Sequence, residues 1–257
     1  MKIVVTYKWA PDPQDAQVLS DGTVDWSKAR SGVSEYDPVA FELARRLVDA
    51  AGGQVVGLTV GAASIDSPLA RKAALSKGLD RLVVVADDAL VGASGTRLAV
   101  VLAAAVRAIG EVDLVLAGES SVDVGEGQVP ATLAGALGWV SLAGVRSLEH
   151  GPEGLLVERD RPGGTETLRL DAPAVLAVTA DAAVPRVPGM KDILGAAKKP
   201  TEVLALHGLD VTETVPVTLL DQARPDQGTR RAVMIDAADP AAAASALVSA
   251  LRQSGVL

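Results

Sequence analysis

Leu114-Val115-Leu116-Ala117-Gly118-Glu119-Ser120-Ser121-Val122-Asp123-Val124-Gly125-Glu126-Gly127-Gln128 carries an apolar run into a Gly-rich turn and on to a predicted helix from roughly Gln128 to Leu137. An uninterrupted apolar run reads as a parallel strand buried on both faces. The N–H groups at the start of the helix are unpaired and suit a phosphate. Small residues in the turn let an anion reach the backbone. Asp123 and Glu126 fit that use only if they face a ribose or point away. Pattern alone leaves an ordinary βα loop and an anion-binding turn equally open.

On the N-terminal side the same alternation repeats. Ile3 to Tyr7, Gln54 to Val60 and Leu82 to Val85 read as strands. Helices are expected from Asp37-Pro38 to Asp49, from Ser67-Pro68 to Ser76 and from Ser94 to Ile109. Asp37 is the expected cap of the first, whose apolar stripe is Val39, Leu43, Ala44 and Leu47. Gly52-Gly53 ends it. Lys8 to Asp37 is a long irregular excursion with a short hairpin at Asp21-Gly22. The β-α-β-α-β-α-β-α order predicts an α/β fold: a doubly wound, mostly parallel sheet of the Rossmann-like, adenine-nucleotide-binding kind.

On the C-terminal side, Leu155 to Glu158 and Thr167 to Leu170 read as an antiparallel ribbon turning at Pro162-Gly163-Gly164, and Ala174 to Thr179 as a further strand. A loop from Pro185 to Pro200 holds one helical turn at Lys191 to Ala196. Val203 to Arg224 reads as an extended polar arm and 232–236 as a late strand. Asp239-Pro240 opens a final Ala-rich helix through Arg252. The expected division is a nucleotide-binding domain over 1–200 and an arm with a helix over 201–257.

Composition excludes several classes of function. Aromatic residues make up 2% and the net charge is −8, which leaves neither stacking platform nor counter-charge for a nucleic acid. There is no Cys, so thiolate metal sites, disulfides and a catalytic thiol are absent. His150 and His207, the two histidines, read as surface residues, which argues against a histidine triad or metal centre. Met1 leads directly into a strand without a signal-peptide pattern, and no apolar stretch reaches membrane-spanning length, so a cytoplasmic location is expected.

Ligands of open parallel sheets sit beyond the carboxyl ends of the strands. Those ends are Lys8-Trp9, Gly61-Ala62 and Gly118 onward. No G-x-G-x-x-G follows the first strand, and no P-loop or Ser-Gly-Gly pyrophosphate loop occurs. Asp87-Asp88 reads as a solvated loop, and Glu158, Arg159, Asp160 and Arg161 as cross-strand or solvent-facing charges. No acid, base or nucleophile stands out. The residues alone reach an α/β protein with a candidate nucleotide site.

Several motifs, in order, resemble the electron-transfer flavoprotein beta subunit family. They are Lys2 to Lys8 with Pro11-Asp12, Glu35 to Ala44, Lys72 to Arg81, and Leu114 to Gly118. The most specific block holds Arg159, Pro162-Gly163-Gly164, Glu166-Thr167-Leu168 and Pro173-Ala174-Val175. Val184-Pro185-Arg186, Ile193-Leu194 and Ala197-Lys198-Lys199-Pro200 follow. Pro162 replaces the family's usual acidic residue, Ser34-Glu35 its Asn-Pro, and Pro130 a common Gly. Gly127 and Val129 stand where side chains are often polar, while Gln128 is retained.

The resemblance implies an electron carrier rather than an enzyme. A heterodimer with an alpha subunit that holds most of the FAD would take electrons from flavoprotein dehydrogenases, such as acyl-CoA dehydrogenases of fatty acid oxidation, and pass them toward a quinone oxidoreductase. It implies that this chain buries AMP, or a second FAD in electron-bifurcating members. By position the nucleotide contacts fall on Thr6, on Ser34, Glu35, Tyr36 and Asp37, on Val60, and on Asp123, Val124, Gly125, Glu126, Gly127, Gln128, Val129, Pro130, Ala131, Thr132, Leu133 and Ala134. A docking loop for the dehydrogenase falls on Pro185 to Ala196, with Met190 as apolar anchor beside Lys191, Ile193 and Leu194. The competing expectations are an adenine-nucleotide hydrolase or ligase of the same fold, and an adenylate-sensing protein without redox function.

Overall fold

Uninterrupted apolar strands need cover on both faces, and the chain supplies it with helices. The computed structural model describes residues 1–257 except 152, 153, 172, 222, 224, 226, 227, 229–231, 237 and 238. In chain order the strands are β1 Lys2–Thr6, β2 Trp9–Pro11, β3 Gln17–Val18, β4 Val24–Asp25, β5 Ser31–Val33, β6 Gln54–Gly61, β7 Arg81–Ala86, β8 Leu114–Gly118, β9 Val140–Gly151, β10 Gly154–Arg161, β11 Gly164–Leu170, β12 Ala174–Val178 and β13 Thr201–Val203. The helices are α1 Pro38–Ala51, α2 Pro68–Leu75, α3 Gly95–Ile109, α4 Val129–Leu137, α5 Met190–Ala196 and α6 Pro240–Gln253.

Nine strands form one sheet in the order β11-β10-β9-β12-β8-β1-β6-β7-β13. Strands β7, β6, β1, β8 and β12 are parallel neighbours, which is the 3-2-1-4-5 order of a Rossmann-like sheet. Successive side chains go to opposite faces. Ile3, Val5, Leu114, Leu116 and Leu176 pack with α1 and α2. Val4, Val56, Val83, Val115 and Val175 pack with α3 and α4. The β9-β10-β11 meander extends one edge, with β9 parallel to β12.

The excursion after β1 pairs β2 with β5 and β3 with β4, so the hairpin at Asp21-Gly22 is present. In the ribbon Arg159 lies opposite Glu166 and donates to its carboxylate at 2.9 Å, the cross-strand one of the two roles its spacing allows. His150 and His207 are exposed.

Four local readings are corrected. First, β9 was read as no element. Its core residues Leu142, Val145 and Leu148 are three apart, because the register slips by one residue against β12 between Leu142 and Val145 and again against β10 between Val145 and Ser147, which breaks the period of two. Second, Asp37 precedes α1 but makes no capping hydrogen bond, its carboxylate being drawn toward Lys8 instead. Third, 232–236 form no strand. Fourth, the arm after residue 200 is less polar and less detached than read: β13 pairs with β7, and Leu204, Leu206, Leu209 and Val211 pack on the α3 side of the core.

The chain divides into two compact units, Met1–Leu19 with Val24–Asp221, and Ser20–Thr23 with Gln222–Leu257. Within the second, Asp239 caps α6 by accepting from the N–H groups of Ala241 and Ala242. Among the described residues no helix is long and apolar enough to cross a membrane.

Candidate functional site

The strand order reverses direction between β1 and β8, and a crevice opens at their carboxyl ends. There a cavity of about 520 Å³ is bounded by Thr6 to Lys8 at the end of β1, Val60 on β6, Ala117-Gly118 at the end of β8, and the starts of α3 and α4. That size lies within the usual range for a small-molecule site, about 300–1,000 Å³. Ser94-Gly95 and Val129-Pro130 line it, so two helix starts face one space, and at α3 Ser94 Oγ accepts from the N–H of Arg97 at 3.2 Å. Pro130, without an N–H, removes one donor from α4.

Three polar ties hold the loop between β8 and α4. Lys8 Nζ lies 2.7 Å from Asp123 Oδ2. Ser34 Oγ accepts from the N–H of Val122 at 3.4 Å, and Ala180 N–H donates to Glu119 Oε1 at 3.3 Å. Gly125 and Gly127 have φ of 71° and 64°, a region that side chains with a Cβ avoid. Burial works against ionisation of Asp123, yet the hydrogen bond and charge of Lys8 hold its carboxyl below the usual range.

Asp37 is the buried acid of the site, 5% exposed. Its Oδ2 accepts from the Lys8 N–H at 2.8 Å. Burial pushes its carboxyl up to about 7, against the pull of the Lys8 and Gly118 N–H groups and the Lys8 charge, and the Asp123 charge adds to the rise. Gly118 is where β8 meets the turn into α1. A Cβ there would stand 2.7 Å from both Asp37 Oδ1 and Tyr36 O.

Of the residues expected from the sequence at a nucleotide, the cavity brings together Thr6, Asp37, Val60, Val124, Glu126, Gly127, Val129 and Pro130. Ser34 and Glu35 line a separate hollow of about 550 Å³ with Ala10, Arg30 and Leu69. Tyr36 lines neither. Asp123 and Gln128 stand behind the loop on Lys8 and Glu126, and Gly125 is in the turn. Ala131 and Thr132 lie along α4, Thr132 donating to Gln128 O, while Leu133 and Ala134 are core residues. The sequence reading passed over Ser94-Gly95 and Val217 to Leu220. The first pair was legible as a small-residue helix start after the third parallel strand. The second, 87 positions beyond Pro130, the nearest lining residue in sequence, carries no local signal.

Away from the cavity, α5 carries Met190, Lys191, Ile193 and Leu194, with Met190 72% exposed. Exposed Val184 and Val187 precede it. This stretch is fastened at its base. Arg186 Nε lies 2.7 Å from Glu42 Oε2, its N–H donates to the same oxygen at 3.2 Å, and Arg46 meets Oε1 at 2.7 Å. Glu42 is 7% exposed, on the buried face of α1. The Arg186 hydrogen bond, aided by Arg46, pulls its carboxyl down to about 2 against the effect of burial.

Glu42→Gln is therefore expected to cost about 1–2 kcal/mol at neutral pH, because both guanidinium groups are partly solvated and screened. The carboxylate's contribution is present above its unfolded value of 4.5 and lost as pH falls toward 2. The stability gap between wild type and variant, measured by urea unfolding, should thus close across that interval. A gap independent of pH would assign the loss to packing.

Among the described residues no three of His, Asp or Glu come together as metal ligands. Compared with models of known families, the chain matches the electron transfer flavoprotein domain over residues 21–209, well over half its length.

Proposed function

The chain belongs to the electron transfer flavoprotein domain family, and on that premise we propose that it is the beta subunit of a heterodimer that carries electrons from flavoprotein dehydrogenases toward a quinone oxidoreductase. Electron exchange is supplied by FAD, held mainly by the alpha subunit. This chain contributes binding surface and a second nucleotide, AMP, or the adenosine end of a further FAD. The observation that carries the reading is the cavity at the β1–β8 switch point, bounded by two helix starts and by Thr6, Asp37 and Val60. Its volume suits a nucleoside. The exposed Met190 on a stretch fastened by Glu42 and Arg186 supports a docking role, since a flexible thioether adapts to varied pockets. Of the segment over 201–257, the final helix α6 is assigned to the alpha subunit's surface. A cytoplasmic location accords with this role.

Co-expression with an alpha subunit, followed by acid extraction and counting of nucleotides, tests the reading. One FAD and one AMP per heterodimer are expected. Two FAD without AMP would place the protein among bifurcating members. Absence of both flavin and partner would defeat the proposal, and ATP turnover by the chain alone would favour an enzyme.

A further inference from the structure

The walls of the cavity differ in how they are held. The ends of β1 and β8 belong to the sheet, and the loop before α4 is tied down through Asp123, Val122 and Glu119. That loop also packs against α3, since a Cβ on Gly95 would lie 2.7 Å from Glu126 Oε2. The remaining wall is Val217-Thr218-Leu219-Leu220. From 212 to 220 the chain forms neither helix nor strand, and none of its groups is hydrogen-bonded to a described residue. Val217 and Leu219 are 72% and 75% exposed although they border the cavity. The stretch is anchored just before it begins, where Leu204, Leu206, Leu209 and Val211 pack on the core.

A stretch with so few contacts opens at little cost. Its apolar side chains gain by leaving water, and what they lack is a surface to leave it against. Val60, Leu98, Leu102 and Val129 already give the cavity apolar lining, so a flat nucleobase held on them would present its second face as that surface. We infer that 217–220 is a strap that moves aside to admit the ligand and closes over it, with Val217 and Leu219 covering the base. The inference rests on the reading of this cavity as a nucleotide site and names how its ligand enters and is enclosed.

The chain has no Cys, so Leu219→Cys introduces a single thiol, and its reaction with a water-soluble aromatic disulfide reports exposure of the strap. Val215→Cys, at a residue 85% exposed and outside the cavity lining, is the reference. Each 257-residue variant, dialysed free of nucleotide, is assayed with and without AMP at a concentration that equilibrium dialysis shows to fill the site. AMP should slow the reaction of Leu219→Cys by about tenfold and that of Val215→Cys by less than about twofold, tenfold being the effect of withdrawing about 60 Å² of apolar surface from water. Adenosine should protect as well as AMP does, because the strap covers the base. Val217→Ser combined with Leu219→Ser should release bound etheno-AMP about tenfold faster than wild type, on the same scale, without moving the urea midpoint, since both side chains are exposed. AMP bound without protection of Leu219→Cys, equal slowing at both thiols, or an unchanged release rate would overturn the strap and leave the nucleotide site standing. Failure of wild type to bind AMP or adenosine would defeat the site itself, and the strap with it.

Discussion

Gly118→Ala is expected to destabilise the protein by about 3 kcal/mol, at the upper end of what an inserted methyl group costs in a packed core. The added carbon would meet Tyr36 O and Asp37 Oδ1 at 2.7 Å and Tyr36 C at 2.8 Å. Two of those atoms are backbone and cannot rotate away. The third belongs to a carboxylate whose other oxygen, Oδ2, is held by the Lys8 N–H. The end of β8 and the entry to α1 would have to part, and both border the cavity. Urea unfolding should show a lower midpoint with an unchanged slope. A loss below about 0.5 kcal/mol, the range of ordinary surface changes, would mean that the close approach is not fixed.

The second large effect concerns Asp37. Its carboxyl ionises at 3.8 in the unfolded chain and at about 7 in the fold. Between those values the native state holds a proton that the unfolded state has lost, so stability falls as pH rises through this window. The full change is on the order of 4 kcal/mol, at 1.36 kcal/mol for each unit. Asp37→Asn keeps one carbonyl acceptor and cannot ionise. It should match wild type near pH 4 and exceed it by up to that amount above pH 7, in urea midpoints compared across the range. A constant difference would show that the Lys8 and Gly118 N–H groups outweigh burial and keep Asp37 ionised.

Parallel strands with apolar residues on both faces announce themselves, and Ile3 to Val5, Val55 to Leu58 and Leu114 to Ala117 were legible for that reason. Helix starts at Ser67-Pro68 and Asp239-Pro240 were legible from cap chemistry. Asp37-Pro38 gave the correct helix start with the wrong reason, because a residue that resembles a cap was recruited by the backbone of a distant strand end. Strand β9 escaped because two one-residue slips, one against each neighbouring strand, give its core residues a spacing of three. The turn at 118–128 was readable as the lining of a strand-end crevice because strand-end geometry is a rule of topology. That Glu126 would lie on Gly95 was not, since thirty-one positions separate them and only the packing of α3 beside α4 joins them.

Strand order also shapes the life of the chain during synthesis. The meander β9-β10-β11 is made before β12, yet β12 is the strand that lies between β8 and β9. Until residue 178 has left the ribosome, the fully buried apolar run of β12 has no counterpart, and both β8 and β9 present open edges. Open edges pair readily with other chains. A nascent chain stalled between residues 151 and 174 should therefore call on chaperones, whereas one extended past 178 can fill the gap between β8 and β9.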